Sequence, residues 1–463
     1  MLSKSIFVRK TDVRKAPTVL SKSDIVALSE PIKRERKPLD ILMEQNQTRL
    51  AHLVPVRMGR MLESPFAYYR GTAGIMAADL ATVPNSSVHM LICGDAHISN
   101  FGFYASPERK LLFDLNDFDE SGYGPWEWDL KRLMASVYLA ALDNKESEDT
   151  AFEITRKTSK YYRETLLEML ELDTLERFYY SVDADNILPT LTHGKMRKQF
   201  EKITNKARTR NSAQALAKFA VREENGSHRI VDQPPLTMHS DALPKDVQET
   251  LWGKYINSAS SEIRYLLQSF EVVDQVLRVV GVGSVGTRCY ISLLEDVNRA
   301  PLFLQIKEAQ TSVLYQYGKM GSQAHIPGGN EIRGNGYRVV ASQKVLQAQS
   351  DMFLGWVDRI PGHDGLPRDY YVRQFRDMKG SINLAALDAN SLKGTAKLCA
   401  SLLARAHAQS HRIGDIAIFA EGGKPLDIAL AQWSKGYAQQ CMKDFENLKY
   451  VAEKGVVPVQ YGL

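Results

Sequence analysis

The chain has 463 residues, 44% hydrophobic and 24% charged, the make-up of a water-soluble globular protein with room for two or three structural units. Its formal net charge of +5 is too weak over this length to signal nucleic-acid binding. Cys93, Cys289, Cys399 and Cys441 lie far apart with no paired spacing. That argues against a zinc ribbon or a disulfide framework and suits a reducing, cytoplasmic setting, and no apolar run is long enough to cross a membrane.

Residues 1–38 are rich in Lys and Arg and lack both an apolar signal segment and sustained periodicity, so they read as a mobile basic arm. Residues 39–270 read as a mainly helical lobe. Leu39 to Leu53 is helical, with Ile41, Leu42, Leu50 and Leu53 at roughly helical spacing. Arg57, Arg60 and Arg70 then fall within one short stretch. They suit either a phosphate or acidic substrate or local surface pairing with acids. Thr72 to Leu80 is a small apolar helix.

The next stretch organises the rest. Leu91-Ile92-Cys93-Gly94-Asp95-Ala96-His97-Ile98-Ser99-Asn100 reads as a strand and a polar loop. Phe101 and Phe103 alternate on an outgoing strand, Ser106-Pro107-Glu108-Arg109 is a turn, and Leu111, Phe113 and Leu115 alternate on the return. Arms of similar length carry the chain back, so Asp117 should arrive beside Asp95 and Asn100. Carboxylates and an amide at one loop edge suit a hard divalent cation, and a hydroxyl awaiting deprotonation. A polar hairpin with one capping aspartate would explain part of the pattern, but several spaced features agree on the catalytic reading.

Asp129 to Leu142 follows as an amphipathic helix, with Asp129 expected as a carboxylate bracing the loop. Glu148 to Leu175 is helical, with Tyr161, Tyr162, Leu166 and Leu170 as core candidates. Leu191 to Arg210 is a basic helix whose charges read best as a solvated face. Asn225-Gly226 marks a hairpin turn, and Pro244 to Phe270 is helical again. Residues 271–380 read as a small β-rich lobe. Here Val276 to Val280, a turn holding Gly281, Gly283, Ser284 and Gly286, and Cys289 to Leu294 give strand, turn, strand. A dinucleotide fold would need a helix after the glycines, whereas a flap over phosphates needs only their backbone freedom. Leu302 to Ala309 is a further strand carrying Lys307. Tyr337 to Trp356 reads as a helix, Asp369 to Phe375 as a strand, and Arg376 to Gly380 as a hinge. Residues 381–463 hold the last helices, Leu392 to Ser410 and Asp427 to Ala452, with Asp427 as N-cap. Leu430, Trp433, Tyr437, Phe445 and Leu448 form a docking face.

Gly94-Asp95-Ala96-His97-Ile98-Ser99-Asn100, Asn116-Asp117-Phe118-Asp119 and Gly122-Tyr123-Gly124-Pro125 with Trp128-Asp129-Leu130 resemble the catalytic loop, metal loop and following segment of the aminoglycoside phosphotransferase branch of the kinase-like superfamily. Cys93 departs from the histidine usual there. The resemblance implies Asp95 as the acceptor's base and Asn100, Asp117 and Asp119 as Mg²⁺ ligands. Gly281, Gly283, Ser284, Gly286 and Lys307 would hold ATP phosphates, and His97, Arg57, Arg60 and Arg70 would face the substrate. A kinase-like helix would also offer Lys307 a glutamate. This one has none, leaving Gln343, Gln347 and the upstream Glu331 as the nearest candidates. The acidic half precedes the glycine flap, so the implied fold is α+β, two-lobed, kinase-like and circularly permuted. Residues 53–450 also resemble a bacterial family of unknown function, DUF2252. The expected activity is ATP- and Mg²⁺-dependent phosphotransfer to an unidentified small-molecule hydroxyl. A non-catalytic nucleotide-binding regulator, a metal-dependent phosphohydrolase and nucleotidyl transfer remain as alternatives.

Overall fold

The computed structural model describes residues 22–188, 194–240, 242–321, 333–362 and 364–463. The helix Trp126–Asp143 sits at its centre. It is buried from Trp126 to Ala141 on every side, not along one stripe as an amphipathic helix would be. Its charged residues are tolerated inside because each finds a partner. Glu127 accepts hydrogen bonds from the Ser86 backbone N–H and hydroxyl, both at 2.7 Å. Lys131 lies 4.8 Å from the centre of the Trp433 ring, and Arg132 pairs with Asp95 at 2.7 Å. Around this helix pack Glu148–Glu171, Ala389–His407 and Gly423–Glu453. The last presents Leu430, Trp433, Tyr437, Phe445 and Leu448 to the core, the face its spacing anticipates.

Two small antiparallel pairs sit on this helical body. His89–Ile92 pairs with Gly122–Pro125. Phe101–Ala105 pairs with Leu111–Leu115, with Phe101 opposite Leu115 and Phe103 opposite Phe113, the hairpin expected from the alternation.

The second part is a six-stranded antiparallel sheet. Its order across is Gly355–Pro361, Pro367–Gln374, Pro301–Ala309, Cys289–Glu295, Glu271–Arg278 and Thr237–Met238. Alternation gives each strand two faces. Leu277, Tyr290, Leu304, Ile306 and Val372 pack beneath Leu251, Tyr255 and Ile263 of the helices Lys245–Ser258 and Ser261–Leu267. On the other face Val276, Ile291, Leu293 and Phe303 meet Ala215 and Phe219. Lys307, opposite Tyr371, shares that face and looks toward the acidic loop. The molecule is thus α+β, with a mainly helical body and an antiparallel sheet.

Several expected elements differ. Residues 22–38 are held to the body and are not an arm: Leu28 is in the core, and Arg34 pairs with both Asp79 and Asp444. Residues 1–21 lie outside the described residues. The first helix stops at Gln47 and resumes as a short 3-10 turn at Ala51–Leu53, because the Leu50 N–H is drawn to the Gly286 carbonyl at 2.8 Å. The Leu191–Arg210 helix is described from Gly194 to Arg208, with Met196, Phe200, Thr204 and Ala207 inward and its basic residues largely outward. Tyr337 to Trp356 is not one helix. Asn335–Leu346 is helical, and Trp356 belongs to the strand Gly355–Pro361. Asp351 turns the chain between them, accepting from the Phe353 and Gln374 N–H groups. Asp427 is no N-cap. It lies inside the helix that begins at Gly423, buried against Ser159 and Arg163.

Gly336 gives a test of the helix-to-sheet packing. Glycine within a helix normally costs about 1 kcal/mol relative to alanine. A Cβ here would stand 2.2 Å from the Tyr370 carbonyl oxygen. Gly336→Ala should therefore lower stability, by about 2–3 kcal/mol, in chemical denaturation; a gain would show that the helix stands off the strand.

Candidate functional site

The loop after His89–Ile92 turns at Gly94, whose φ is +79. A Cβ there would meet the Glu120 carbonyl oxygen at 2.0 Å, so the two acidic loops touch through a position only glycine fills. Asp129 holds the loop from behind. Its carboxylate accepts from the Cys93 and Gly94 N–H groups at 2.7 and 2.8 Å. His407 Nε2 lies 3.3 Å from the same carboxylate, and His407 Nδ1 is 2.7 Å from the Tyr162 hydroxyl. The helix Ala389–His407 thus reaches the loop from the far end of the sequence.

Asp95 projects from the braced loop. One oxygen lies 2.7 Å from Arg132 Nε, and Arg132 is fixed over the Tyr69 ring at 3.9 Å while donating to the Tyr69 carbonyl at 2.7 Å. Burial pushes the Asp95 carboxyl up from its ordinary range, and Arg132 opposes that shift. The Asn100 side-chain nitrogen donates to the Asp95 carbonyl, which leaves the amide oxygen as its free end. The hairpin returns with the Asn116 N–H donating to the Asn100 carbonyl at 2.8 Å.

Lys307 crosses from the sheet to meet this edge. Its ammonium is 3.6 Å from Asp117 and in direct contact with Asp119. The other Asp119 oxygen accepts from the Tyr371 hydroxyl at 2.8 Å. Asp119, expected as a metal ligand, thus has both oxygens on protein groups, as does Asp117, whose second oxygen accepts from the Asp119 N–H at 3.3 Å. Burial would raise Asp117, but Lys307 and Arg373 outweigh it and hold that carboxylate at about 2. Burial and the Asp117 charge push Asp119 the other way. Gln343 and Gln347 do not reach Lys307. Gln343 bonds Gln347, which bonds the Leu115 carbonyl. Glu331 lies outside the described residues.

The glycine turn roofs the cleft, and a strand follows it. Gly281 and Gly286 have φ of +71 and +87, and the Ser284 hydroxyl caps the Val280 carbonyl at 3.1 Å. Arg49 donates to the Val285 carbonyl and Arg60 to that of Gly281. Beneath the turn is a cavity of about 110 Å³ lined by Arg49, Arg70, Asp95, His97, Asn100, Asp117, Asp119, Glu120, Gly281, Gly283 and Ser284, among others. Lys307 and Gly286 stand behind this lining. His97 is buried, with Nδ1 lacking a partner and Nε2 3.8 Å from Asp95. Burial pulls its pKa well down, so the ring is neutral. Arg57 does not reach the cavity. It is fully buried and donates to Asn46, Gln45 and the Gly71 carbonyl. Arg60 serves the turn and the Leu463 carbonyl.

The Arg376–Gly380 stretch is closed as a hinge edge. Its Met378 and Gly380 N–H groups donate to the Arg210 and Phe103 carbonyls, and its Asp377 and Gly380 carbonyls accept from Ala105 and Phe103. Phe375 beside it packs on Phe219 and Phe303. No backbone donor is left at 378 or 380 to read a purine. A groove of about 770 Å³ instead adjoins the cavity and shares Gln45, Arg49, Glu120, Glu308, Gln310 and Val313 with it.

Arg132, Arg49, Tyr371 and Arg373 escape sequence reasoning. For Arg132 a signal exists: it lies three residues after Asp129 on one helix and so shares its face. The others come from distant segments with no local mark.

A model of a family described as an uncharacterised protein conserved in bacteria (DUF2252) matches residues 49–451. The chain belongs to this family. The DUF2252 match begins at Arg49 and takes in both acidic loops, the glycine turn and Lys307. No curated protein and no solved structure matches the chain. Among the described residues of this DUF2252 protein, no group of three or more His, Cys, Asp or Glu is set to hold a metal, and no helix is long and apolar enough to cross a membrane.

Glu120 supplies a pH test. Burial raises its carboxyl to about 7, against an accepted hydrogen bond from the Val313 N–H at 2.7 Å. A carboxyl raised on folding resists ionisation. Stability should therefore fall as pH climbs from the unfolded value near 4.5 to about 7 and stay lower above it. Glu120→Gln should raise the unfolding free energy at pH 8, by on the order of 2–3 kcal/mol, and little at pH 5. Equal gains at both pH values would clear Glu120 of this role. Asp129→Ala should cost about 3–5 kcal/mol, because two backbone donors and a histidine lose their acceptor.

Proposed function

We propose that the protein is an ATP- and Mg²⁺-dependent phosphotransferase of kinase-like, circularly permuted fold, acting on a small-molecule hydroxyl. The observation that carries this reading is the meeting of Lys307 with Asp117 and Asp119 across one cleft, from positions 190 residues apart in the chain. Three further features support it. The glycine turn joins the first two strands counted from Glu271, and Lys307 is on the third. The helix Asn335–Leu346 follows that strand. Ala389–His407 returns beside the catalytic loop, where an unpermuted chain would place the preceding helix.

The residues present fit the phosphate half of a metal nucleotide. Mg²⁺ is commonly held by one or two carboxylates together with phosphate oxygens. The free Asn100 oxygen and Asp117, already anionic in this site, make such a donor pair without a third protein ligand. ATP with Mg²⁺ would supply a transferable terminal phosphoryl group. Asp95 accepts the acceptor's proton, oriented by Arg132 and by the loop contacts to Asp129. Neutral His97 can donate or accept at the same wall. The backbone of the glycine turn would meet the phosphates, with Lys307 behind Asp117 and Asp119. The base half does not fit the Arg376–Gly380 edge, so the adjoining groove is where the remainder of a nucleotide or the acceptor has room. Among the described residues no cluster of three or more His, Cys, Asp or Glu is set to hold a metal, which disfavours a phosphohydrolase with its own His/Asp metal cluster.

ATP with Mg²⁺ should raise the melting temperature, as any ligand binding only the folded state does, through a stabilisation of about 2.7 kcal/mol at a hundredfold excess over Kd. Lys307→Ala should abolish the rise. Asp95→Asn should keep Mg²⁺-nucleotide binding while turnover falls on the order of 10²–10⁴-fold. Asp117→Ala should lose the metal-dependent part of binding. Where turnover is measured, its acid limb should lie above the ordinary carboxylate value of about 4, because burial raises Asp95. Absence of any shift with ATP or GTP at millimolar concentration would remove both this reading and that of a nucleotide-binding regulator.

A further inference from the structure

The cavity beneath the glycine turn has an imbalance of charge. Each carboxylate on its wall is accounted for. Asp95 is paired with Arg132 at 2.7 Å, and Asp117 and Asp119 with Lys307, to which Arg373 adds a second positive charge. Glu308 is paired with Arg288 and Arg368 at 3.4 and 3.5 Å, and Glu120 is raised to about 7 by burial. Arg49 and Arg70 remain. Both line the cavity, and neither forms an ion pair among the described residues. The Nε of each is buried and without a hydrogen-bond partner, as is Nδ1 of His97 on the same wall, whose ring is only 4% exposed. Burial draws both guanidinium groups below their ordinary value, Arg49 to about 10.

Desolvating a cation without a counter-charge costs several kcal/mol, and an anion placed between two guanidinium forks offsets that cost through charge-assisted hydrogen bonds. Size narrows the choice. About 110 Å³ falls short of the roughly 300 Å³ at which whole-ligand pockets begin. It suits one tetrahedral oxyanion. Position narrows it further. Asp95 is the carboxylate that acts most strongly on Arg70, and a Cβ on Gly283 would lie 3.3 Å from the Arg70 carbonyl. The arginine therefore lies near both the catalytic carboxylate and the tip of the turn.

We propose that Arg49 and Arg70, with the Gly281–Ser284 turn, form a dedicated site for a single phosphoryl group beside Asp95. This deepens the phosphotransferase reading and rests on it for the word transfer; the anion site stands on the cavity alone. The phosphoryl group has two possible sources, the terminal phosphate of a nucleotide or a phosphate already carried by the acceptor.

The test uses the full chain and inorganic phosphate as probe, at constant ionic strength against chloride. Melting curves and titration calorimetry are followed for wild type, Arg49→Gln, Arg70→Gln, the double variant and the charge-conserving Arg70→Lys. Phosphate should raise the wild-type melting temperature. Each Gln variant should weaken phosphate binding about tenfold or more, equivalent to about 1.4 kcal/mol, and Arg70→Lys should retain part of it. Should a Gln variant not fold, the Lys variant carries the comparison, and wild-type affinity in it would overturn a bidentate role for Arg70. No phosphate binding to wild type at about 20 mM, or unchanged binding in the double variant, overturns the site. Competition between phosphate and ATP–Mg²⁺ assigns the pocket to the nucleotide's terminal phosphate, and simultaneous binding assigns it to a phosphorylated acceptor. Binding of phosphate without ATP would sink the phosphotransferase reading and keep this site. Binding of ATP–Mg²⁺ equally to wild type and both Gln variants, with phosphate silent, would do the reverse.

Discussion

The contact of Lys307 with Asp117 and Asp119 is the interaction on which the arrangement depends. It joins the sheet to the helical body at the floor of the cleft. A buried pair of this kind adds little net stability, since the desolvation of each ion offsets much of the attraction. What it supplies is register. Only when Lys307 faces the acidic loop are two adjacent carboxylates, a tyrosine hydroxyl and Arg373 all compensated at once. Any slide of the sheet by one residue would turn Lys307 to the opposite face, into the apolar layer that holds Ile306, and would leave two buried anions unpaired.

The rest of the site consists of devices that keep this contact in place. Asp129 and Arg132, one helical turn apart on a helix with no exposed side, hold the loop backbone and Asp95 respectively. The roof is tied down from the opposite direction. Arg49, the Leu50 N–H and Arg60 reach the carbonyls of Val285, Gly286 and Gly281, and Arg60 is itself tied to the Leu463 carbonyl at 2.8 Å. The glycines leave those carbonyls accessible, so the turn is positioned by arginines from the helical body as well as by its own strands.

Much of this was legible in the sequence where the signal was local. Period-two alternation set the hairpin of Phe101–Ala105 and Leu111–Leu115, and the lack of helical pattern after Gly286 set strand, turn, strand. Asp129 was readable as a brace because it opens a helix just beyond the loop. The failures share a cause: they are residues whose role is fixed by a partner far away in the chain. Nothing local in Asn116-Asp117-Phe118-Asp119 shows that Tyr371 and Lys307 lie on the two Asp119 oxygens. Arg57 looks like a substrate arginine until Asn46 and Gln45 surround it. Trp356 closed a stretch read as helical from Val339, Val340, Leu346 and Phe353, and only pairing with Tyr371 made it strand. Asp427 resembled a cap because N-cap chemistry and a buried ion pair with Arg163 use the same residue type.

The sealed Arg376–Gly380 edge bears on how the site would choose its ligands. A base read by that edge would need free backbone N–H and C=O groups, and those at 377, 378 and 380 already join the sheet to the hairpin and to Arg210. Opening them would unpair buried backbone groups, at about 1–3 kcal/mol each, before any contact to a base was gained. Recognition in the proposed reading therefore shifts toward the other end of the cleft, where the cavity opens past Arg49, Glu120 and Glu308 into the wider groove. That groove carries arginines and carboxylates together, among them Arg288, Arg359, Arg368, Asp364 and Asp369. Paired charges of this kind discriminate by geometry and hydrogen bonding more than by net attraction. The phosphate end of the cleft would then supply affinity, and the mixed-charge groove would supply selectivity.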